Sequence, residues 1–152
     1  MDFVVGLPTT LQRHDCIMVV VDKLTKSAHF IPIKSTFDAP AVVRVFLREV
    51  IRLHGVPRKI ISDRDPWFSS RFWRSLQQSL GTQLSFSTSY HPETDGQTER
   101  VNQVMEDMLR MYVMDQQTQW EKYLPLVEFA YNNSYDSSIG ATPYEILYGR
   151  PC

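Results

Sequence analysis

Asp2, Asp63 and Glu99 are the residues whose type and placement could do chemistry. Carboxylates brought together repel one another unless a cation lies between them. Hard divalent ions such as Mg2+ prefer oxygen donors. A converging trio of this kind would therefore build a metal-dependent phosphoryl-transfer site. Asp63 follows the strand-like run Lys59-Ile60-Ile61-Ser62, and Glu99 lies in the stretch His91 to Asn102, a turn that opens into a helix. Thirty-five residues lie between them. Each acid also has an ordinary reading. Asp63 stands before Arg64-Asp65-Pro66 and could be turn chemistry. Glu99 could complement a helix dipole, Asp95 could be an N-cap, and Asp2 could sit on a frayed end. Their combination says more than any one of them: one acid in a first strand, one ending a later strand, one on the non-core face of a helix.

Other chemistries find less support. His91 and Tyr90 precede the loop to Glu99, where a His beside Pro is either structural or close to a phosphate. His14, His29 and His54 are too scattered to suggest a metal set. There is no phosphate-cradling Gly loop and no Ser/His/Asp spacing. Cys16 and Cys152 form no metal spacing and read as two free thiols in a reducing compartment.

The elements that must position the acids follow from periodicity. Asp2-Phe3-Val4-Val5 reads as a strand ended by Gly6 and Pro8. Cys16 to Val21 is a continuous apolar run rich in β-branched residues, as expected of a strand buried on both faces. Ser27 to Ile33 makes a third strand, and the short links suggest an antiparallel meander. Asp38-Ala39-Pro40 starts a helix with an acidic N-cap and Pro in the first turn. Its core positions are Val42, Val43, Phe46, Leu47, Val50 and Ile51, and Gly55 and Pro57 stop it. Arg44, Arg48 and Arg52 fall along one side of it, as a solvated face or a DNA or dimer contact. Lys59 to Ser62 is the fourth strand, and a strand–helix–strand passage favours parallel pairing there. The carboxyl edge of such strands is where open α/β sheets place ligands. Ser69 or Ser70 can cap a helix carrying Phe72, Trp73, Leu76 and Leu80, and Gln83 to Ser87 alternates as a fifth strand. In the next helix Val101, Val104, Met105, Met108, Leu109 and Tyr112 mark a buried face, with Glu99, Asn102, Gln103, Glu106 and Arg110 opposite. A further helix carries Trp120, Tyr123, Leu124, Val127 and Tyr131. Thr142-Pro143-Tyr144-Glu145 is a capping box with Pro at N1, and Gly149 ends that helix.

The 152 residues amount to about one domain, and 43% hydrophobic with 12% aromatic content argues against disorder. No apolar run reaches the roughly 18 residues a membrane span needs, and no secretory signal is visible. Net charge is −1, so the whole chain does not advertise a polyanion partner. Eight bases face three acids between Arg44 and Arg74, against ten acids and three bases from Glu93 to Glu145. A polyanion would prefer the first region, if this is more than uneven surface charge.

Several blocks together resemble a known family. They are Met1 to Pro8, Val20 to Phe30, Leu53-His54-Gly55-Val56-Pro57, Ile61 to Phe68, His91 to Asn102, Glu128-Phe129-Ala130-Tyr131-Asn132-Asn133 and Ala141 to Glu145. In content and order they resemble the catalytic core of an integrase from a gypsy-type long-terminal-repeat retrotransposon, closest to plant elements. The resemblance implies an α/β, ribonuclease H-like fold: a five-stranded mixed sheet, strands one to three antiparallel, flanked by helices. It implies that Asp2, Asp63 and Glu99 are the catalytic and metal-binding triad, and that Tyr90, His91, Asn102 and Gln103 lie near DNA. It implies polynucleotidyl transfer with two Mg2+ ions (Mn2+ as substitute), acting on element cDNA ends and target DNA. A homodimer or higher multimer, and a nuclear site of action after a cytoplasmic particle stage, belong to the same implication. The chain is expected to be one domain, 1–152, cut from a larger polyprotein one residue before the first triad Asp, without the family's zinc-binding and C-terminal DNA- or chromatin-binding domains. The rival readings are an inactive relic that only dimerises or binds nucleic acid, and a ribonuclease H-like nuclease.

Overall fold

The computed structural model describes residues 1–57, 59–62, 70–80, 89–92, 96–113 and 116–152; within these, the side chains of 59, 61, 62, 70, 73, 77, 79, 80, 89–92 and 96–99 are not described. Among the described residues the strands in chain order are β1 (Asp2–Val4), β2 (Cys16–Val21), β3 (Ala28–Ile33), β4 (Lys59–Ser62) and β5 (Ser89–Pro92). The helices are α1 (Ala39–Phe46), α2 (Arg52–His54), α3 (Ser70–Leu80), α4 (Gly96–Val113), α5 (Trp120–Asn132) and α6 (Pro143–Tyr148). The expected meander is present: β1 and β3 both pair antiparallel with β2. β4 pairs β5 in parallel, Lys59 against Ser89 and Ser62 against Pro92. Among the described residues the strands form these two ladders, of three strands and two. Among the described residues the strand that follows α3 is Ser89–Pro92. Gln83 to Ser87 lies outside the described residues, and Tyr90 and His91, expected in the approach to a turn, are inside β5.

Alternation along the strands divides the core between two faces. Phe3, Cys16, Met18, Ile31 and Ile33 turn to one side, where Val42, Val43, Val45 and Phe46 of α1, Phe72 and Leu76 of α3, and Ile60 of β4 join them. Val4, Ile17, Val19, Ala28 and Phe30 turn to the other, against Val101, Met105 and Leu109 of α4 and Trp120, Leu124 and Val127 of α5. β2 is therefore apolar at every position because helices cover both faces. Of the stripe read for α4, Tyr112 leaves the core; it is half exposed and stacks on Tyr123 at 5.8 Å between ring centroids.

Helix ends behave as their sequences dictate. The Asp38 carboxylate accepts the Ala41 N–H at 3.0 Å. Thr142 and Glu145 form both halves of the capping box, and Gly149 closes α6 in the left-handed conformation. Between α1 and α2 the chain makes a π-helical turn, Leu47–Ile51, that the helical spacing did not announce.

The exposed edge of β3 is closed by side chains. The Asp22 N–H donates to the Ser27 carbonyl at 2.9 Å at the β2–β3 turn. Antiparallel bonding alternates from there, so Ala28, Phe30 and Pro32 direct their backbone away from β2. Asn132 of α5 accepts the Ala28 N–H at 2.8 Å and donates to the Ala28 carbonyl at 2.9 Å. Glu128, one turn earlier, accepts the Phe30 N–H at 2.7 Å. Pro32 has no N–H to offer. The edge thus presents few groups to a foreign strand. Asn132→Ala is expected to destabilise the protein by about 1–3 kcal/mol, because two partly buried backbone groups lose their partner. The exposed neighbour Asn133→Ala should stay within about 0.5 kcal/mol. Equilibrium urea unfolding compares the two, and equal values would deny the clamp.

Candidate active site

Asp2 shares its face of β1 with Val4, two residues on, and Val4 belongs to the α4 and α5 side of the sheet. The Asp2 side chain accordingly meets α4. Its Oδ2 accepts the Asn102 side-chain N–H at 2.8 Å, and its Oδ1 accepts the Phe3 backbone N–H at 2.8 Å. Both donors are neutral amides, so these two bonds orient the carboxylate without cancelling its charge. The Asn102 Oδ1 atom is buried and has no hydrogen-bond partner among the described residues.

β1 is held in place from its far end as well. The Trp120 indole N–H donates to the Pro8 carbonyl at 2.7 Å, and the Thr10 hydroxyl donates to Glu121 at 2.7 Å. His14 Nδ1 lies 2.6 Å from the same Glu121 oxygen. The polar β1–β2 loop is thereby fastened to the start of α5.

Glu99 is in the first turn of α4, three residues before Asn102. Three residues is one helical turn, so its backbone lies on the side of α4 that approaches Asp2. Its side chain lies outside the described residues, as does Asp63 entirely. Asp63 follows Ser62, the last residue of β4, whose carboxyl end stands beside that of β5; α4 begins four residues after β5 ends. The backbone thus brings the elements bearing two of the acids, β1 and α4, into contact, and the β4 end that precedes the third runs alongside the strand that feeds α4. Among the described residues no group of three or more His, Cys, Asp or Glu side chains is placed to hold a metal. Two of the three expected ligands fall outside that set.

The residues expected near DNA divide. Asn102 is partly buried and serves Asp2, a partnership the sequence did not announce. Gln103 is exposed, and its amide donates to Asp107 at 3.0 Å, along the helix rather than towards Asp2. Tyr90 and His91 pair through their backbones with Ile60 and Ile61, and their side chains lie outside the described residues.

Two α-helical layers enclosing strands in this order define an α/β fold of the ribonuclease H type, and solved integrase cores share it. The catalytic core of HTLV-2 integrase, determined in complex with magnesium, superposes with a TM-score of 0.68 at 21% identity, covering 95% of this chain and 93% of that one. The catalytic core of BIV integrase gives 0.65 at 23% identity, covering 95% and 91%. A simian T-cell lymphotropic virus intasome, in complex with PP2A regulatory subunit B56 gamma, gives 0.73 at 16% identity, covering 97% of this chain and 53% of that one. Residues 1–92 match the family described as "Integrase core domain". The Tf2-3 transposon polyprotein of Schizosaccharomyces pombe is 36% identical over 148 residues, which is 97% of this chain and 11% of the polyprotein. This chain belongs to the integrase core domain family, and it spans about a tenth of the length of the curated relatives it matches.

Proposed function

We propose that this chain is the catalytic core of a gypsy-type retrotransposon integrase of plant-like kind, which trims element cDNA 3′ ends and joins them to target DNA. The observation that carries the reading is the Asp2–Asn102 bond, which sets a triad-position carboxylate against the helix turn that bears Glu99. Asp2, Asp63 and Glu99 are the three ligands in this proposal. Their all-oxygen donor set suits Mg2+, with Mn2+ as substitute. Two such ions would sharpen the attacking water or 3′-hydroxyl and neutralise charge on the leaving 3′-oxygen.

The protein's own contribution is positional. Asn102 and the Phe3 N–H fix the Asp2 carboxylate. No protein nucleophile is needed, because the water or 3′-hydroxyl attacks in line. Tyr90, His91 and Gln103 are assigned to the DNA path, with Gln103 exposed on α4 beyond the Asp2 contact. The structural neighbours include a dimeric and a trimeric form of the HTLV-2 core and an intasome. By the same reading this chain works as a homodimer or larger multimer on DNA, in the nucleus after a cytoplasmic particle stage. The test is oligonucleotide 3′ processing and strand transfer. Joining should require Mg2+ or Mn2+ and vanish in Asp63→Asn and in Glu99→Gln, both still folded. Joining that survives either substitution in an otherwise active protein overturns the proposal.

A further inference from the structure

His29 and His54, twenty-five residues apart in sequence, meet at the surface. Their Nε2 atoms are 2.7 Å apart, with ring centroids at 5.0 Å and planes inclined at 48°. His29 stands on β3, and His54 is the last residue of α2, before Gly55 turns the chain at φ +78°. Two imidazole nitrogens that close cannot both carry a proton and cannot both be bare; something must lie between their lone pairs. In the metal-free protein a single proton does so, one Nε2–H donating to the other ring.

We infer that this imidazole pair is a binding site for a tetragonal divalent transition-metal ion, Cu2+ before Ni2+, distinct from the carboxylate site. The 2.7 Å separation is that of an N–H···N hydrogen bond, and it also suits two donors held at a right angle on one metal. Nitrogens about 2.0 Å from a metal lie about 2.8 Å apart across a right angle and about 3.3 Å apart across a tetrahedral one. The observed 2.7 Å matches the right angle, which square-planar and tetragonal ions use. Cu2+ heads the affinity order for such nitrogen donors, and water completes the coordination.

The surroundings favour ligation. Glu128 Oε1 lies 3.6 Å from His29 Nδ1. At 3.6 Å it makes no hydrogen bond to the ring, but its negative charge lies on the Nδ1 side and leaves Nε2 facing His54. His54 is held below the ordinary imidazole range, first by its partial burial and then by His29, with Asp22 opposing. When a metal takes Nε2, the His54 proton can sit on Nδ1 instead. The ion would tie β3 to the end of α2, five residues before β4 begins, and so brace the chain on its way to Asp63. Binding to the native state alone would add stability as RT ln(1 + [L]/Kd).

Cu2+ is titrated into the full chain in excess Mg2+, which occupies carboxylate sites, and is read by electron paramagnetic resonance and by thermal melting. The expected result is one equivalent with nitrogen hyperfine structure and a raised Tm. His29→Ala and His54→Gln should each weaken binding at least about tenfold, since each removes one of two protein ligands. Glu128→Gln, which keeps an acceptor for the Phe30 N–H, should weaken it about tenfold. Asp2→Asn and His14→Ala should leave it unchanged. Zn2+, which prefers a tetrahedron, should bind more weakly than Cu2+. Parental Cu2+ affinity in a folded His54→Gln protein, or a spectrum without nitrogen ligands, overturns the assignment.

Discussion

Asp2→Asn is expected to lower Mg2+-dependent strand transfer on the order of a thousandfold while the protein stays folded. The substitution keeps the size of the side chain and one oxygen acceptor. What it removes is a unit of negative charge at one of three proposed ligands. Metal polarisation of a phosphoryl group supplies several kcal/mol of transition-state stabilisation, and about 4 kcal/mol corresponds to about a thousandfold in rate. Asn102→Ala should act in the same direction and less strongly. It leaves the charge of Asp2 in place and removes only the amide that holds Oδ2 at 2.8 Å. Loss of a group that orients a ligand usually costs about 10–100-fold in metal affinity or activity. Because Asn102 would act through Asp2, the double variant Asp2→Asn/Asn102→Ala should be little worse than Asp2→Asn alone. Strand-transfer rates across the cycle, measured over a range of Mg2+ concentrations, decide it. A loss in Asn102→Ala that high Mg2+ restores marks a positioning residue. Full additivity would mean that Asn102 serves the reaction separately from Asp2.

The contact behind that cycle shows what a sequence can and cannot disclose. β2 was legible because its two-sided burial leaves a run, Cys16 to Val21, with no polar residue. α1, α4 and α6 were legible through Asp38, the Val101–Leu109 stripe and the Thr142–Glu145 capping box, all of which act within a few residues of themselves. β5 was not, because a short parallel strand takes its identity from the partner beside it; Ser89 to Pro92 becomes a strand by lying along Lys59 to Ser62. The π-helical turn at Leu47–Ile51 adds about one residue to a turn and leaves no mark in composition. The Glu128 and Asn132 clamp on β3 spans about a hundred residues, and the block that contains it was recognisable only by resemblance. For the site, residue types marked Asp2, Asp63 and Glu99, yet no spacing rule joins Asp2 to Asn102 or His29 to His54. Both are products of tertiary closure.

The largest effect on stability should come from Phe46→Ala, at about 3–5 kcal/mol. Phe46 ends α1 and is 1% exposed. It lies edge-on to Phe72 of α3, with ring centroids 6.4 Å apart at 72°. The substitution removes an aromatic ring from the cluster that also holds Phe3, Met18 and Ile60. Its neighbours sit on separate strands and helices, so they cannot all shift inward to fill the space, and a cavity adds to the lost transfer energy. In a domain of this size each kcal/mol displaces Tm by about 2–4 °C, so a fall of roughly 6–20 °C is expected. Leu11→Ala is the natural comparison, because Leu11 is 100% exposed; it should change stability by less than about 0.5 kcal/mol. Phe46→Leu refills part of the space and should recover part of the loss, without the edge-to-face contact worth about 0.5–1.5 kcal/mol. Calorimetry on the three variants orders them. If Phe46→Ala melted with Leu11→Ala, the α1–α3 layer would not be packed on the sheet, and the face opposite α4 would have no core to hold β1 and β4 in one body.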